Sequence, residues 1–386
     1  MDFDLSDEQK LIRDTARDFA AREVAPKAAE LDKSGRWPEE IVKKMAELGF
    51  LGMAIPEEYG GGGLDALSYA LAMEEISAAC ASCGVIMSVN NSLFCDPVYK
   101  FGTEEQKKTV LTPVARGEKL GCFGLTEPMS GSDAQTMVTS GTKTDGGWVL
   151  NGAKNWITNG PHADFILVFC VTDKVDQGEG KPPRLKHTAF LVPKGTAGYT
   201  QNARDHKLGI HAAHSCTVFF ESCFVPDSAV VGKPGEGFKV AMATLDGGRI
   251  GIASQALGIA RAALDASVAY AKERRSFGVP IAQHQAIQFM LSDMATQLDA
   301  SRLLTWRAAL MKDEGVRHSA ESAMAKLYAS ETATRVAHKA IQIHGGYGYS
   351  QEFPVERNYR DARITEIYEG TSEIQRIVIA ASVLAG

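Results

Sequence analysis

At 386 residues, with 45% apolar and 23% charged residues, the chain has an ordinary globular composition and room for two or three substructures. A net charge of −6 without a basic cluster excludes a nucleic-acid footprint, and no apolar run reaches membrane-spanning length. Seven irregularly spaced cysteines read as reduced thiols rather than a disulfide framework. The acidic, helix-capped start MDFDLSDEQK is neither a secretory signal nor a transit peptide. The closing VLAG carries no retention or peroxisomal address, so the bacterial cytoplasm is the expected location.

Residues 1–120 read as helices. Ser6 with Gln9 makes a capping box, and apolar Leu11, Ile12, Ala16, Phe19 and Ala20 follow at helical spacing until Pro26 stops the run. Pro38 opens another helix, closed by Gly49, and Thr103 with Gln106 repeats the capping signature. The glycines at 60–63 are a hinge between helices. With no strand before them and no lysine after them, they are not a phosphate cradle. Cys80 and Cys83 form a lone CxxC in the small, apolar stretch ISAACASCGVIM. No second pair completes a tetrahedral metal site, and they read as core packing.

Residues 121–232 change character. WVLNG, DFILVFCVTD, HTAFLVP and SCTVFFESCFVP are β-rich runs separated by Gly, Pro, Asn and Lys clusters. No helix-length pattern alternates with them, which predicts a compact antiparallel sheet or barrel rather than a parallel α/β layer. The segment 174–186 reads as a polar loop. His211 and His214 have metal-like spacing, but no carboxylate or cysteine ligand lies alongside, so a polar loop is expected there too.

Residues 233–386 are helical again. Ala323, Leu327, Ser330, Ala333, Val336, Ala340 and Ile343 recur at three- and four-residue spacing, a narrow seam of mostly small groups. Long helices with such seams predict a four-helix bundle, buried further by oligomerisation. The fold class is therefore α+β: an N-terminal helical domain, a middle antiparallel β-domain and a C-terminal four-helix bundle. No GxGxxG follows a strand, which argues against a Rossmann dinucleotide site.

Several side chains carry chemistry, each with two readings. In ERRSFG, 273–278, two arginines at a helix end suit a pyrophosphate or complement the helix dipole. Trp156 is a hairpin core residue or an open aromatic face. In IYEGTSEIQR, 367–376, Glu369 sits at a break before a helical run, where Thr371, Ser372 and Glu373 supply capping groups and backbone N–H donors. It is a solvated turn carboxylate, or a base set beside a carbonyl-polarising helix start.

Taken together, the chain resembles the acyl-CoA dehydrogenases over essentially its full length, and looks closest to their short-chain (butyryl-CoA) members. The resemblance rests on IMSVNNSL (86–93), LTEPMSGSDA (125–134), WITNG (156–160), TLDGGRIGIASQALGIA (244–260), QIHGGYGY (342–349) and RNYRDARITEIYEGTSEIQR (357–376), in that order. It implies FAD between the β-domain and the C-terminal bundle. Phe123, Leu125, Thr126, Gly131 and Ser132, with Trp156, Ile157 and Thr158, are expected to line the flavin. Arg274, Phe277, Gln285, Gln342, Gly345 and Gly346 are expected to reach the diphosphate and adenosine of a cofactor held mainly by a neighbouring subunit. Thr371 and Glu373 join the cofactor set. Ser132, Asp246, Arg249, Tyr368 and Gly370 match substrate-contacting positions; Asp246 and Arg249 also read as a helix-surface ion pair.

By the same resemblance Glu369 is the base that removes the α-proton of an acyl thioester while a hydride leaves the β-carbon for the flavin. The thioester oxygen is expected to meet the backbone N–H of the glutamate and a flavin ribose hydroxyl. Some relatives carry the base on the earlier long helix, where this chain has Gly248. The implied activity is formation of a trans-2-enoyl-CoA in β-oxidation, with an electron-transfer flavoprotein as acceptor and a homotetramer built as a dimer of dimers. Rival readings are a dehydrogenase for short branched or cyclic acyl-CoAs, an oxidase, and a non-catalytic assembly protein of the same fold. Two departures from the pattern are Met129, where a glycine is usual, and a longer 174–186 segment.

Overall fold

A computed structural model of the protein describes residues 4–178, 180 and 182–385. The first three residues of the acidic start, Glu179 and Lys181 within the 174–186 segment, and the last glycine of VLAG lie outside them.

Helix α1 (Asp7–Phe19) opens on the expected capping box: Gln9 N donates to Ser6 Oγ at 3.1 Å and Ser6 N to Gln9 Oε1 at 3.0 Å. Ala16 and Phe19 are buried, but Leu11 is 66% exposed and stands outside the core. The run does not stop at Pro26. A π-turn at Ala20–Val24 and a tight turn at Ala25–Lys27 carry the chain into α2 (Ala28–Ser34). Pro26 lies in the first turn of that new segment, where a missing N–H breaks no bond. Short helices α3 (Glu39–Glu47), α4 (Ala66–Ala79), α5 (Ala81–Ser88), α6 (Asp96–Phe101), α7 (Glu104–Gln106) and α8 (Thr112–Ala115) complete this part. Cys80 caps α4, Cys83 lies in α5, and both thiols are buried in the helical core.

The strands are β1 (Gly121–Gly124), β2 (Ser140–Thr144), β3 (Gly147–Thr158), β4 (Phe165–Val175), β5 (Arg184–Pro193), β6 (Tyr199–Gln201), β7 (Ser215–Pro226) and β8 (Val230–Val231). They form one sheet in the order β6-β7-β3-β2-β4-β5-β8, with β1 on β4. Pairing is antiparallel except where β4 meets β1 and, at one residue pair, β2. The sheet is therefore mixed at its centre. Both faces are covered: Leu167, Phe169 and Val171 of β4 enter a core shared with the helices, and Ile166, Val168 and Cys170 enter a second core. This is the period-two alternation of a strand. The 174–186 segment is not wholly loop, because Lys174 pairs with Leu185 and Val175 with Arg184, extending β4 and β5 into it. His211 and His214 sit on the loop before β7 and tie it to α2, the first through Asp32 and the second through the Gly35 carbonyl at 2.8 Å.

The C-terminal part holds α9 (Gly237–Glu273), a two-stranded turn of β9 (Arg275–Ser276) and β10 (Val279–Pro280), α10 (Gln285–Asp313), α11 (Ser319–His344), α12 (Pro354–Thr365) and α13 (Ser372–Ala385). The seam on α11 is buried except for half-buried Leu327, and it is wider than the spacing suggested, taking in Ala325, Lys326, Ala329, Thr332 and Ala337. Helix α9 packs closely on α4. A Cβ on Gly258 would stand 2.5 Å from the Glu74 carbonyl oxygen, so glycine there permits an approach that alanine would block. Among the described residues no helix is long and apolar enough to cross a membrane.

Candidate active site

Between α12 and α13 the chain reverses through two consecutive left-handed residues, Glu369 at φ 53° and Gly370 at φ 92°. For a glutamate this is costly and persists only when neighbours over-determine it. They do. Gln375 Nε2 donates to the Gly370 carbonyl at 2.8 Å and to the Glu369 carbonyl at 3.3 Å, and Lys326 Nζ donates to the Gly370 carbonyl at 2.5 Å. Thr371 caps α13 through its hydroxyl, which accepts from Ile374 N at 3.3 Å.

The held turn delivers one carboxylate. Glu369 as a residue is partly exposed, yet its Oε2 is buried and has no hydrogen-bond partner. It lies over Gly248 of α9, where an added Cβ would stand 2.2 Å from Oε2. Burial pushes the carboxyl up to about 7, against the pull of Lys326 and Arg249. Burial in turn pushes Lys326 down to about 7, opposed first by Glu369. Glu369 is thus not a solvated turn carboxylate.

Arg249 is 4% exposed and donates to Asp246 Oδ1, while its Nε is buried without a partner. Arg249 therefore lies inside the molecule near the carboxylate, and its partner Asp246 is partly exposed, so the pair is not simply a helix-surface ion pair. Asp246 also accepts from Ser319 Oγ at 2.5 Å. Tyr368 OH donates to Gln255 Oε1, and Gln255 is itself fully buried.

A second group forms where β1 and β3 end. Asn155 N donates to the Thr126 carbonyl at 2.8 Å, which joins the LTEP and WITNG segments. The pairing of β3 with β7 is irregular between Lys154 and Ile157, and within that bulge Trp156 takes φ 61° and leaves 57% of its surface open. It is therefore not a hairpin core residue. Leu125 and Ile157 turn their side chains into the cores on the two faces of the sheet, so what they have to offer a ligand is backbone. Phe123 is half-buried against Phe169, with ring centroids 5.0 Å apart. Thr126 and Thr158 are partly exposed, and Gly131 and Ser132 are open. Met129 is 93% exposed and is absent from the left-handed residues, so its replacement of a glycine imposes no backbone strain.

A third group surrounds a cavity of about 600 Å³ lined by Tyr270, Arg274, Ser276, Gly345, Gly346 and Tyr347, among others. The Arg274 guanidinium lies over the Tyr347 ring, 5.7 Å from its centroid, and a Cβ on Gly345 or Gly346 would meet nothing within 4 Å. Beside it Phe277 is 96% exposed at φ 51°, and Gln285 and Gln342 are exposed. A guanidinium, a hydroxyl and open glycine backbone suit a diphosphate. A bare indole face with nearby hydroxyls suits a flat ring. The donor set fits FAD. Thr371, at the cap of α13, is partly exposed and Glu373 is exposed.

Sequence reasoning passed over Lys326, Gln375, Gln255 and the Lys154–Glu127 pair. Lys154 is fully buried, with its Nζ 2.8 Å from Glu127 Oε1 and 3.1 Å from the Leu125 carbonyl. For Lys326 a signal existed: it falls three residues after Ala323 and four before Ser330, on the same small-residue seam, where a lysine has no business unless it meets an anion.

Comparison with known proteins converges on one family. Models of the acyl-CoA dehydrogenase N-terminal, middle and C-terminal domains match residues 6–118, 122–223 and 235–384. The chain is 54% identical over 381 residues to the mitochondrial short-chain specific acyl-CoA dehydrogenase of Rattus norvegicus, covering 99% of this chain and 91% of that protein. It superposes on butyryl-CoA dehydrogenase from Megasphaera elsdenii with a TM-score of 0.95 at 44% identity, over the whole of both chains. An FAD complex of PigA matches with a TM-score of 0.93 at 30% identity, again over both whole chains. With all three domain models matched in order along one chain, this protein belongs to the acyl-CoA dehydrogenase family.

Proposed function

We propose that this protein is an FAD-dependent dehydrogenase of short-chain acyl-CoA thioesters, with Glu369 as its base. The observation that carries the reading is the Glu369 carboxylate: buried at Oε2, without a hydrogen bond, raised to about 7 and mounted on a turn that three donor–acceptor contacts hold in place. Such a group is wasted in a structural role and suited to taking a proton from carbon near neutral pH.

In this reading Glu369 removes the α-proton of the acyl group, and the electron pair left behind forms the double bond of a trans-2-enoyl-CoA as the β-hydrogen departs. FAD, when bound, supplies the acceptor for that hydride. The thioester carbonyl takes up charge as the α-proton leaves. The backbone N–H of Glu369 is the chain's donor for its oxygen, and one such donor is worth about 3–4 kcal/mol. Asp246, Arg249, Tyr368, Gly370 and Ser132 hold the thioester and its coenzyme A. Thr126, Trp156 and Thr158 flank the ring system, with backbone from Leu125 and Ile157. Arg274, Phe277, Gln285, Gln342, Gly345 and Gly346 hold the diphosphate and adenosine of a cofactor shared with a second subunit. Exposed Phe277 and the open cavity beside Arg274 support that sharing. The assembly in this reading is a tetramer of paired dimers, the electron acceptor an electron-transfer flavoprotein, and the compartment the bacterial cytoplasm.

The short-chain reading is supported by the likeness to short-chain specific and butyryl-CoA dehydrogenases, and the α9 face beside the base is closely packed. The glycine face of α9 meets side chains rather than space: Leu93 and Glu369 at Gly248, and Ser88 with Tyr69 at Gly251. Anaerobic bleaching of the flavin with straight, branched and cyclic acyl-CoAs tests the reading. Butyryl-CoA is expected to reduce it best. Best reduction by chains of about eight carbons or more rejects the short-chain assignment, since each methylene is worth about 1–3 kcal/mol. Preference for a branched or cyclic acyl group replaces it with that rival, and no reduction by any of them rejects the activity.

A further inference from the structure

Lys326 is a lysine with no exposed surface, set in the N-terminal half of α11. Its Nζ donates to the carbonyl of Gly370, the residue after the base. A lysine buried to bond one carbonyl is a poor packing choice, because an apolar side chain fills the same space without desolvating a charge. The charge must then be used.

The groups around Glu369 show how. From α9 comes Arg249, whose charge is engaged by Asp246. Helix α4 contributes Tyr69, whose hydroxyl burial keeps protonated. The base's own segment contributes Tyr368, also held protonated by burial, with Glu366 and Glu373. Glu366 is paired with Arg363 at 2.6 Å and bonded by Thr334, and Glu373 is exposed near Arg376. Of the two cations that favour the ionised form of Glu369, Arg249 is paired with Asp246, whereas Lys326 has no ion pair among the described residues. It also grips the carbonyl that, with Gln375, fixes the left-handed turn.

Building on the dehydrogenase reading, we propose that Lys326 is a positioning residue for Glu369, fixing the turn that aims the carboxylate and placing a cation on its side of the site. The two roles separate by variant. Lys326→Met removes both the grip and the charge, whereas Gln375→Leu removes a grip and no charge.

The test is the pH profile of anaerobic flavin reduction by butyryl-CoA. Loss of a facing cation raises a carboxyl, so Lys326→Met is expected to move the acid limb to higher pH by about 1–3 units, with a lower plateau. Gln375→Leu is expected to lower the plateau and leave the limb in place. A Lys326→Met enzyme that loses rate without moving its limb overturns the proposal and leaves Lys326 a merely structural residue.

Should Lys326→Met fail to fold, the coupling is read from the other side, in Glu369→Gln. Removing the carboxylate is expected to let the Lys326 ammonium lose its proton at lower pH than in wild type, followed by NMR of labelled lysine. An unchanged Lys326 titration overturns the proposal. A wild-type flavin that no acyl-CoA bleaches defeats the dehydrogenase reading instead, and the lysine titration still reports on the pair.

Discussion

Gly248 leaves the space that the Glu369 carboxylate occupies: a Cβ built on residue 248 would stand 2.2 Å from Glu369 Oε2 and 3.0 Å from Leu93 Cδ2. The two positions exclude one another. A side chain on α9 at 248 and a carboxylate from the 369 turn cannot share that volume. Gly248→Ala is therefore expected to push the carboxylate aside by a fraction of an ångström to about 1 Å, lowering turnover by about 10²-fold with FAD content unchanged. Steady-state kinetics alongside the visible spectrum checks it. Full activity would show that the carboxylate works from elsewhere.

Glu369→Gln keeps the size of the side chain and removes the proposed proton acceptor. The purified variant is expected to remain yellow and to lose at least about 10²–10⁴-fold in flavin reduction, the range a placed base contributes. Stopped-flow bleaching under anaerobic conditions measures it. A rate within a few-fold of wild type takes Glu369 out of the mechanism.

The raised carboxyl has a signature in pH. In the proposed mechanism Glu369 acts ionised, so reduction of the flavin in wild type is expected to fall as the pH drops through about 7. Stability carries the opposite sign. A carboxyl raised from its unfolded value of 4.5 to about 7 favours the fold fully below 4.5, and that contribution is lost as the pH rises through 7. Glutamine has no such loss. Relative to wild type, the thermal midpoint of Glu369→Gln is expected to be higher at about pH 8 than at about pH 5, and a constant difference across that interval would contradict the burial argument.

The Lys154–Glu127 pair underlies the turn that carries Thr126 to Ser132. Glu127 also accepts from Val138 N at 2.7 Å and Thr139 N at 2.9 Å, so it stitches that turn to the start of β2. Lys154→Met strands a buried carboxylate and is expected to cost about 3–5 kcal/mol together with weakened FAD retention on gel filtration. Adding Glu127→Gln should recover a large part of the stability, because the stranded charge is then gone. Equal loss in the single and double variants would argue that the ion pair is not what holds the turn.

The capping pairs Ser6–Gln9 and Thr103–Gln106, the long α9–α11 run and the alternating strands were legible because each depends on groups within a few residues. Pro26 was misread for the same local reason: proline ends a helix in its interior but not in a first turn, and only the π-turn before it reveals which applies. Leu11 fits the helical period, yet it is 66% exposed and stands outside the core. The parallel contacts of β4 with β1 and β2 join segments more than twenty residues apart that no local pattern links.

From the residues themselves, the chain declares helices, then strands, then helices, and marks 367–376 as a break before a capped helix. Its likeness to a known family names Glu369 there. Those signals survive in one dimension because hydrogen bonding and side-chain period act along the chain. Tertiary packing alone decides that Glu369 Oε2 is buried, that Gly248 makes room for it and that a lysine forty-three residues upstream holds the turn beside it. Burial and charge are properties of what surrounds a group, and for this carboxylate the surroundings come from α9, α11 and α4, brought together only when the bundle closes.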